Sequence, residues 1–410
     1  MPAVAKGGVT LSDSGKIKVV LCFHMRIFVL GTGATGSLLA RLLVRQGHQV
    51  TCGDRDPDRA RRFLGKTSRI PIRQVNARNL WSIVKAARGS HLIINCSPAV
   101  LNMIVMRAAL RVRAHYLDTA SHLTGTPFRA EQLRFEARFQ AKRRAAVINA
   151  GAAPGLTNLL VARSADLLNG LEAVQIRLYE ATGSDNPVSQ WSHDAAFDEA
   201  VSRPRIYRQG RFHFGKRFGE REVFRFPPPI GPVGVVLAAQ DEVVTLPRVL
   251  DMRDMDVKIG GNDFERLRRW YRQGKLRKSH GPAAKRFPQT SSPRQVARLV
   301  ARGELYHARF AAAVMVQGRK GERRALIRWD AGFPSLHQMR RREVHVSPIT
   351  WATAHLAALF VKHFPRELPG VHPPEALPAR TRQAILAGAR ARGIRIGKRL
   401  TLLEPLDDEE

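Results

Sequence analysis

The sequence is poor in cysteine, in acidic residues and in long apolar runs. Its three cysteines, Cys22, Cys52 and Cys96, have neither a CxxC spacing nor the spacing of a zinc site. A disulfide-stabilised secreted domain would need more of them. The sequence also has no stretch of about 18 consecutive apolar residues, so it predicts no membrane span. We therefore expect reduced thiols, a cytoplasmic protein and no metal site.

Acidic residues are half as frequent as basic ones: 34 Asp and Glu stand against 68 Lys and Arg, which gives a formal net charge of +34. Such a balance raises the hypothesis of nucleic-acid binding. The basic residues are spread along the chain, however, and 54 of them are Arg against 14 Lys, a skew that coding bias toward Arg codons would produce. We therefore do not expect nucleic acid as a partner. We expect the charge to attract acidic metabolites and the phosphates of a cofactor.

The first half of the chain alternates short apolar strands with apolar helical faces. Its length of 410 residues suits two or three domains. Strands are predicted at 26–30, 49–53, 70–75, 91–95, 115–118 and 145–149, and helices at 38–44, 83–87, 101–112 and 128–144. This alternation predicts an α/β fold with a parallel, doubly wound sheet, that is, a Rossmann domain over residues 25–150.

The remaining segments have a different pattern of predicted helices and strands. Residues 151–346 contain a predicted helix at 156–168, a half-buried strand at 173–179 and a hairpin of strands 312–316 and 324–328, which indicates an α+β domain with its own sheet. Residues 347–410 contain two further predicted helices, at 349–364 and 379–392. Residues 1–24 are interpreted as a flexible N-terminal extension without a function of its own.

A glycine-rich loop lies between the first predicted strand and helix. Gly31 permits the tight turn that leaves the strand, Gly33 leaves room for a pyrophosphate, and Gly36 lets the helix pack close to the strand. The N–H groups at the start of the helix, those of Ala34 and Thr35 among them, face the phosphates. Strand, loop and helix in this order predict a bound dinucleotide.

An acidic residue follows at the distance that this site requires. Asp54 ends the second predicted strand, about 20 residues after Gly33, where a carboxylate can bind both ribose hydroxyls of NAD. Arg55 comes next and could instead bind the 2′-phosphate of NADP. The cofactor is therefore NAD or NADP, with NAD preferred.

Further motifs, taken with the loop, resemble the saccharopine dehydrogenase family. They are Ile94-Asn-Cys-Ser-Pro98, His115-Tyr-Leu-Asp-Thr119, Asn149-Ala-Gly-Ala-Ala-Pro-Gly-Leu-Thr-Asn158, Asp241–Pro247 and Pro369–Leu377. The resemblance implies a Rossmann domain, a substrate domain with a mixed sheet, and C-terminal helices that return to the Rossmann domain. Saccharopine-forming members tend to have Asp before the Pro-Gly of the third motif. Ala153 stands there, as in the lysine 6-dehydrogenase branch, which argues against saccharopine as the substrate.

The resemblance implies oxidation at an amine carbon, or reduction of an imine, in a substrate derived from an amino acid. Ligands of open α/β sheets bind at the carboxyl ends of the strands. The predicted cofactor contacts there, beside the glycine loop, are Asn95, Ser97, Pro98, Gly151, Pro154 and Gly155. The catalytic candidates are Asp118, His122, His193 and Glu242.

Each of these catalytic candidates also has an ordinary structural interpretation. Asp118 could cap a helix or bind a backbone amide, His122 and His193 could be plain loop histidines, and Glu242 could belong to an ion pair. Two other functions remain open. One is a polyamine-forming enzyme of the homospermidine or carboxynorspermidine synthase type, and the other is a dinucleotide-binding protein without catalysis. We also expect a homodimer.

Overall fold

The structure, a computed structural model, describes residues 8–10, 18–20, 24–122, 126–185, 202–274 and 291–403. Within these ranges two large sheets dominate the molecule. Before them, strands β1 (Gly8–Thr10) and β2 (Lys18–Val20) pair with each other in antiparallel fashion.

The first sheet is the predicted Rossmann sheet. Its strands are β3 (Arg26–Leu30), β4 (Gln49–Asp54), β5 (Ile72–Gln74), β6 (Leu92–Asn95), β7 (His115–Asp118), β8 (Ala145–Val147) and β17 (Gly370–His372). The helices between them are α1 (Ala34–Arg45), α2 (Pro57–Leu64), α3 (Leu80–Ala87), α4 (Asn102–Arg111) and α5 (Glu136–Ala141). The strand order is β17-β8-β7-β6-β3-β4-β5, and every pair is parallel. The doubly wound fold is thereby confirmed.

The second sheet is mixed, as expected. Its strands are β9 (Gly170–Ser184), β10 (Arg205–Arg208), β11 (Arg211–Phe214), β12 (Glu222–Phe226), β13 (Gly231–Leu237), β14 (Asp254–Gly260), β15 (Leu305–Lys320), β16 (Arg323–Gly332) and β18 (Arg395–Leu402). Only β9 and β14 pair in parallel; the other pairs in the described part are antiparallel. Its helices are α6 (Leu156–Ala165), α7 (Glu242–Val249), α8 (Asn262–Arg272), α9 (Pro293–Ala301) and α10 (Leu336–Arg340).

The C-terminal segment connects the two sheets. Helix α11 (Pro348–Lys362) begins where the Ser347 hydroxyl accepts the N–H of Thr350 at 3.2 Å, and most of its residues are buried. It lies against α1 of the Rossmann domain and also contacts β15. Helix α12 (Ala379–Ala391) packs against α11 and α6. Apolar side chains from both sheets therefore share one core around α11.

Several details differ from the sequence predictions, among them the three that follow. Residues 128–144 do not form one helix: a 3-10 turn, Glu131–Phe135, precedes the short α5, because Gln132 turns inward and is fully buried. Strand β8 ends at Val147, since Asn149 has a positive φ of 58°. The C-terminal segment contains two strands besides helices, and these are β17 in the first sheet and β18 in the second. None of the helices in the described ranges is long and apolar enough to span a membrane.

Candidate functional site

The glycine loop has the geometry that the three roles of its glycines require. Gly31 has a φ of +91°, and a Cβ there would lie 2.6 Å from the backbone of Cys96 and Ser97. A Cβ on Gly36 would lie 2.0 Å from the Gly31 carbonyl oxygen. A Cβ on Gly33 would approach only Arg59, at 3.9 Å. Close packing thus holds Gly31 and Gly36, whereas space is left at Gly33, where a pyrophosphate would pass.

The N-terminus of α1 is free to bind an anion. No side chain caps it at Gly33, and its first turn, which includes Ala34 and Thr35, has no acidic residue. Unpaired N–H groups and the helix dipole at such an end attract phosphate. The arrangement fits the phosphates of a dinucleotide.

Asp54 lies at the end of β4, beside the loop. Its Oδ2 accepts the N–H of Thr32 at 2.8 Å, and its Oδ1 accepts the N–H of Asp56 at 3.1 Å. A carboxylate oxygen accepts more than one hydrogen bond, so both oxygens keep capacity for ribose hydroxyls. Arg55 is exposed next to it.

Arg59 is a cofactor-site candidate that sequence reasoning missed. It lies in the first turn of α2, where its N–H donates to the cap residue Asp56 at 2.8 Å. Its guanidinium is stacked over the Phe63 ring, with Cζ 4.8 Å from the centroid, and it approaches Gly33. A planar cation in this place can bind a phosphate with two hydrogen bonds. The available signal was its position in the first turn after the strand end, which is weak among 54 Arg.

The Asn95 turn after β6 continues the same edge of the sheet. Asn95 is buried, and its Oδ1 accepts the N–H of Ser97 at 3.0 Å while its Nδ2 donates to Asn102 Oδ1 at 2.7 Å. The backbone of Cys96 and Ser97 in this turn lies directly against Gly31. The turn therefore lies beside the glycine loop, and its contact with the cofactor stays a prediction.

Asp118, at the end of β7, is buried rather than open to a cleft. Its Oδ1 accepts the N–H of Asn149 at 2.8 Å, and Gln132 Nε2 donates to its Oδ2 at 3.1 Å. The Tyr116 hydroxyl lies 2.9 Å from the same Oδ2. Burial raises the pKa of Asp118 to about 7, against the lowering effect of these hydrogen bonds. The structural interpretation, binding of a backbone amide, is the one that its contacts show.

The loop that contains His122 meets the start of α7, where Glu242 lies. The N–H of Ser121 donates to Asp241 Oδ2 at 3.0 Å, which joins the loop after β7 to the start of α7. His122 directly follows Ser121 and is half-buried, and Glu242 directly follows Asp241. The fourth catalytic candidate, His193, lies outside the described residues.

The Gly151–Gly155 turn, which we call the proline turn, follows β8. Its Ala153–Pro154 peptide bond is cis, and the Gly151 N–H donates to the Pro154 carbonyl at 3.1 Å. Gly155 has a φ of +129°, and a Cβ there would lie 2.0 Å from the Gly151 carbonyl oxygen. The turn is therefore closed tightly upon itself at the carboxyl edge of the Rossmann sheet.

Two fully buried carboxyl groups lie behind the proline turn. Glu242 Oε1 accepts the hydroxyl of Thr157 at 2.7 Å, and Glu375 Oε2 accepts Nδ2 of Asn158 at 3.0 Å. Burial raises the pKa of each to about 7, and Glu375 raises that of Glu242 further. Each keeps one buried oxygen without a partner, Oε2 of Glu242 and Oε1 of Glu375. We expected Glu242 to face the cleft; its side chain is enclosed because α7 packs against α6.

Sequence reasoning also missed Glu375 and Gln132. Glu375 lies in the 3-10 turn Pro374–Ala376, 217 residues after its partner Asn158. Its only signal was its place inside one of the family-like motifs. Within the described residues, no cluster of three or more His, Cys, Asp or Glu side chains has the arrangement of a metal site.

Comparison with known proteins gives a match to a family model and similarities to solved structures. Residues 27–148 match the family model described as the saccharopine dehydrogenase NADP binding domain. None of the curated proteins searched matches the sequence. Among solved structures, apo saccharopine dehydrogenase (L-Glu forming) from Saccharomyces cerevisiae aligns with a TM-score of 0.67 at 12% identity, covering 92% of this chain and 100% of that one.

Two further structures align more loosely. One is GenD2 from gentamicin A biosynthesis in complex with NAD, with a TM-score of 0.41, 12% identity and coverage of 93% of this chain and 97% of that one. The other is a meso-dapdh mutant with DAP from Clostridium tetani E88, with a TM-score of 0.41, 10% identity and coverage of 87% and 96%. Neither carries an inference about this chain. The yeast enzyme shows the fold, and the family model shows the nature of the first domain. Residues 27–148 thus match the saccharopine dehydrogenase NADP binding domain, and the chain shares the fold of the yeast enzyme.

Proposed function

We propose that the protein is an NAD(P)-dependent oxidoreductase that acts on the C–N bond of an amine or imine derived from an amino acid, in the manner of a lysine 6-dehydrogenase. One observation carries the proposal. The uncapped, sterically open glycine loop lies at the same sheet edge as the Asn95 turn and the proline turn. A dinucleotide with its phosphates on the loop would extend along this edge.

Some of these residues would bind the cofactor, and others would transfer a proton. The loop, with Gly31, Gly33 and Gly36, would hold the pyrophosphate, and Asp54 the ribose. The Asn95 turn and the proline turn would flank the nicotinamide end. When bound, the cofactor supplies the hydride chemistry itself.

Among the described catalytic candidates, Glu242 has the pKa and the unpaired oxygen that suit proton exchange, although its side chain is enclosed behind the proline turn. A carboxyl group with a pKa of about 7 is protonated and deprotonated in comparable amounts near neutral pH, as a general acid or base should be. One of its oxygens has no hydrogen-bond partner. Asp118 has the same pKa but accepts bonds on both oxygens, so it is better suited to hold the backbone. His122 stays a candidate for proton relay.

NAD is the proposed cofactor, with NADP as the alternative. Asp54 favours NAD because a carboxylate binds the free 2′-hydroxyl and repels a 2′-phosphate. Arg55 and Arg59 favour NADP, since guanidinium groups bind phosphate. We place the substrate domain at residues 151–346 and the C-terminal segment at 347–410. We also propose that the protein is a homodimer and that it is cytoplasmic. Sedimentation of the purified chain tests the first of these proposals.

Two assays test the function. In the oxidative direction the protein is given NAD or NADP with lysine, saccharopine or a diamine. In the reductive direction it is given reduced cofactor with these amines and the aldehydes that form imines with them. We expect a change in absorbance at the nicotinamide band with an amino acid. Reaction with diamines alone would support a polyamine-forming enzyme instead. Tight binding of the dinucleotide without turnover of any substrate would support the non-catalytic alternative.

A further inference from the structure

The turn Pro374–Ala376 places a charged side chain in the interior of the protein. Glu375 is 1% exposed, although it lies in a short 3-10 turn of the C-terminal segment. Arg382 of α12 donates to the backbone carbonyls of Glu375 and Leu377, at 3.3 and 2.6 Å. These bonds fix the turn against α12, so the carboxyl group has little freedom to move away from its partner.

That partner is Asn158, and it bridges Glu375 to the proline turn. Asn158 is fully buried in the first turn of α6. Its Oδ1 accepts the N–H of Gly155 at 2.9 Å, and its Nδ2 donates to Glu375 Oε2 at 3.0 Å. A weaker contact of 3.4 Å runs from Nδ2 to the Thr245 hydroxyl.

The hydrogen-bond donors fix the direction of this bridge. A backbone N–H only donates, so the amide of Asn158 must turn its oxygen to Gly155 and its nitrogen to the opposite side. The group on that side must accept, and a carboxyl oxygen does so in both protonation states. An apolar side chain at position 375 would leave the amide nitrogen with only the long contact to Thr245, and a buried unsatisfied donor is costly.

We propose that Glu375 is a positioning residue for the proline turn: it orients Asn158, which in turn fixes Gly155 at the place where the nicotinamide end of the dinucleotide would bind. The role in cofactor binding rests on the proposed function, whereas the effect on the turn does not. The C-terminal segment thereby contributes to the site without touching the cofactor.

The groups around Glu375 support this role. Glu242 of α7 is the other carboxyl group behind the turn, with Asp241 beside it, and Arg382 is the cation whose charge acts on Glu375. Burial raises the pKa of Glu375 to about 7, so near neutral pH much of it is protonated. A Gln at this position retains an acceptor oxygen and lacks the charge, and it should therefore replace Glu375 in orienting Asn158.

The test compares E375Q and E375M with a matched control, D166N. Asp166 pairs with Arg382 at 2.6 Å and so links the same C-terminal helix to the end of α6, but it does not contact Asn158. The first measurement is hydrogen–deuterium exchange of the peptide that contains Gly155. The second is the Kd for NADH and NADPH, from the fluorescence of the reduced nicotinamide.

We expect E375M to exchange at Gly155 about tenfold faster than the unmodified protein and to bind the dinucleotide about tenfold more weakly. E375Q and D166N should stay within about twofold of the unmodified protein in both measurements. Exchange at Gly155 that is unchanged in E375M, or equally faster in D166N, would overturn the proposal. If E375M does not fold, E375A, which also lacks an acceptor at this position, takes its place with the same expected and contradicting results.

The two measurements separate this inference from the proposed function. If the unmodified protein binds neither NADH nor NADPH, the proposed function fails, and exchange at Gly155 still decides the role of Glu375. If the unmodified protein binds a dinucleotide and E375M binds it equally well, the positioning role fails and the proposed function stands.

Discussion

The glycine loop and the proline turn lie at the same edge of the Rossmann sheet, yet they are held in opposite ways. The loop is held by its immediate surroundings: the Gly31 N–H donates to the Gly53 carbonyl at 2.8 Å, and the Cys96–Ser97 backbone packs on Gly31. The residues that flank the proline turn are held by buried carboxyl groups from three separate parts of the chain: Asp118 binds Asn149, Glu242 binds Thr157, and Glu375 binds Asn158.

The two halves of the proposed cofactor site therefore differ in what holds them. The contacts of the glycine loop lie within the Rossmann domain, whereas those of the proline turn include residues far away in the sequence. Steric fit within one domain fixes the loop, so substitutions that affect it should lie in the loop itself. The proline turn depends on buried polar groups. Removing the hydrogen-bond partner of a buried polar group lowers the stability of the fold more than removing that of an exposed group. Substitutions far from the turn in sequence should therefore affect it. The predictions below test this contrast, from the largest expected effect to the smallest.

The largest effect is expected for D118A. It would leave the Asn149 N–H and the Gln132 amide without their acceptor in a buried place, so we expect the free energy of unfolding to fall by about 3 kcal/mol. The half-exposed Asp54 is the matched carboxylate of the glycine loop, and D54A should cost less than about 1 kcal/mol. Urea denaturation of both variants gives the comparison. Equal losses would remove the distinction between the two regions.

A smaller effect, and one on binding, is expected for G36A. The added Cβ would lie 2.0 Å from the Gly31 carbonyl oxygen, so the loop must shift and the dinucleotide affinity should fall roughly 100-fold. G170A, in β9, is the control because a Cβ there meets no atom within 4 Å. Fluorescence titration with NADH and NADPH measures the change. An affinity that is unchanged in G36A would show that the phosphates bind elsewhere.

The pH dependence of stability should reveal the buried carboxyl groups. The folded pKa of Glu242 is about 7, above the ordinary value of 4.5, so the folded state binds the proton more tightly than the unfolded state. Its contribution to stability is present below pH 4.5 and is lost as the pH rises through 7. The Gln side chain in E242Q does not titrate. Between pH 5 and pH 8 the free energy of unfolding should therefore fall by about 2 kcal/mol less in E242Q than in the unmodified protein. Parallel curves for the two proteins would argue against a buried, titrating Glu242.

The smallest effects concern the choice of cofactor. D54A should weaken NADH binding by about tenfold through the loss of the ribose contact. R59A should weaken NADPH more than NADH, because the guanidinium can bind the 2′-phosphate only in NADPH. Kd values for both reduced cofactors measure this. An R59A variant that weakens both cofactors equally would place Arg59 at the pyrophosphate instead.

The sequence predicted the glycine loop well because its requirements are local. Gly31, Gly33 and Gly36 lie within six positions of one another, and the strand and helix that flank them have clear apolar patterns. The Rossmann sheet followed from the same alternation. Its seventh strand, β17, was missed because it is only three residues long and lies more than 200 residues after β8.

The supports of the proline turn could not be predicted in the same way. The bond between Asn158 and Glu375 spans 217 positions, and a single Glu in a Pro-rich segment has the appearance of a surface residue. Gln132 lies in a segment predicted as one helix, 128–144, whereas in the structure it belongs to a 3-10 turn and binds the buried Asp118. Asp118 lies at the end of a strand, as predicted, and Glu242 lies at the start of a helix. Their depth of burial depends on tertiary packing, which the local pattern does not contain.

A structure of the protein with NAD bound tests the central claim most directly. We predict the pyrophosphate at the N–H groups of Gly33–Gly36, the ribose at Asp54, and the nicotinamide beside the Asn95 turn and the proline turn. A nicotinamide ring that lies away from both turns, or a pyrophosphate that does not contact the glycine loop, would contradict the account.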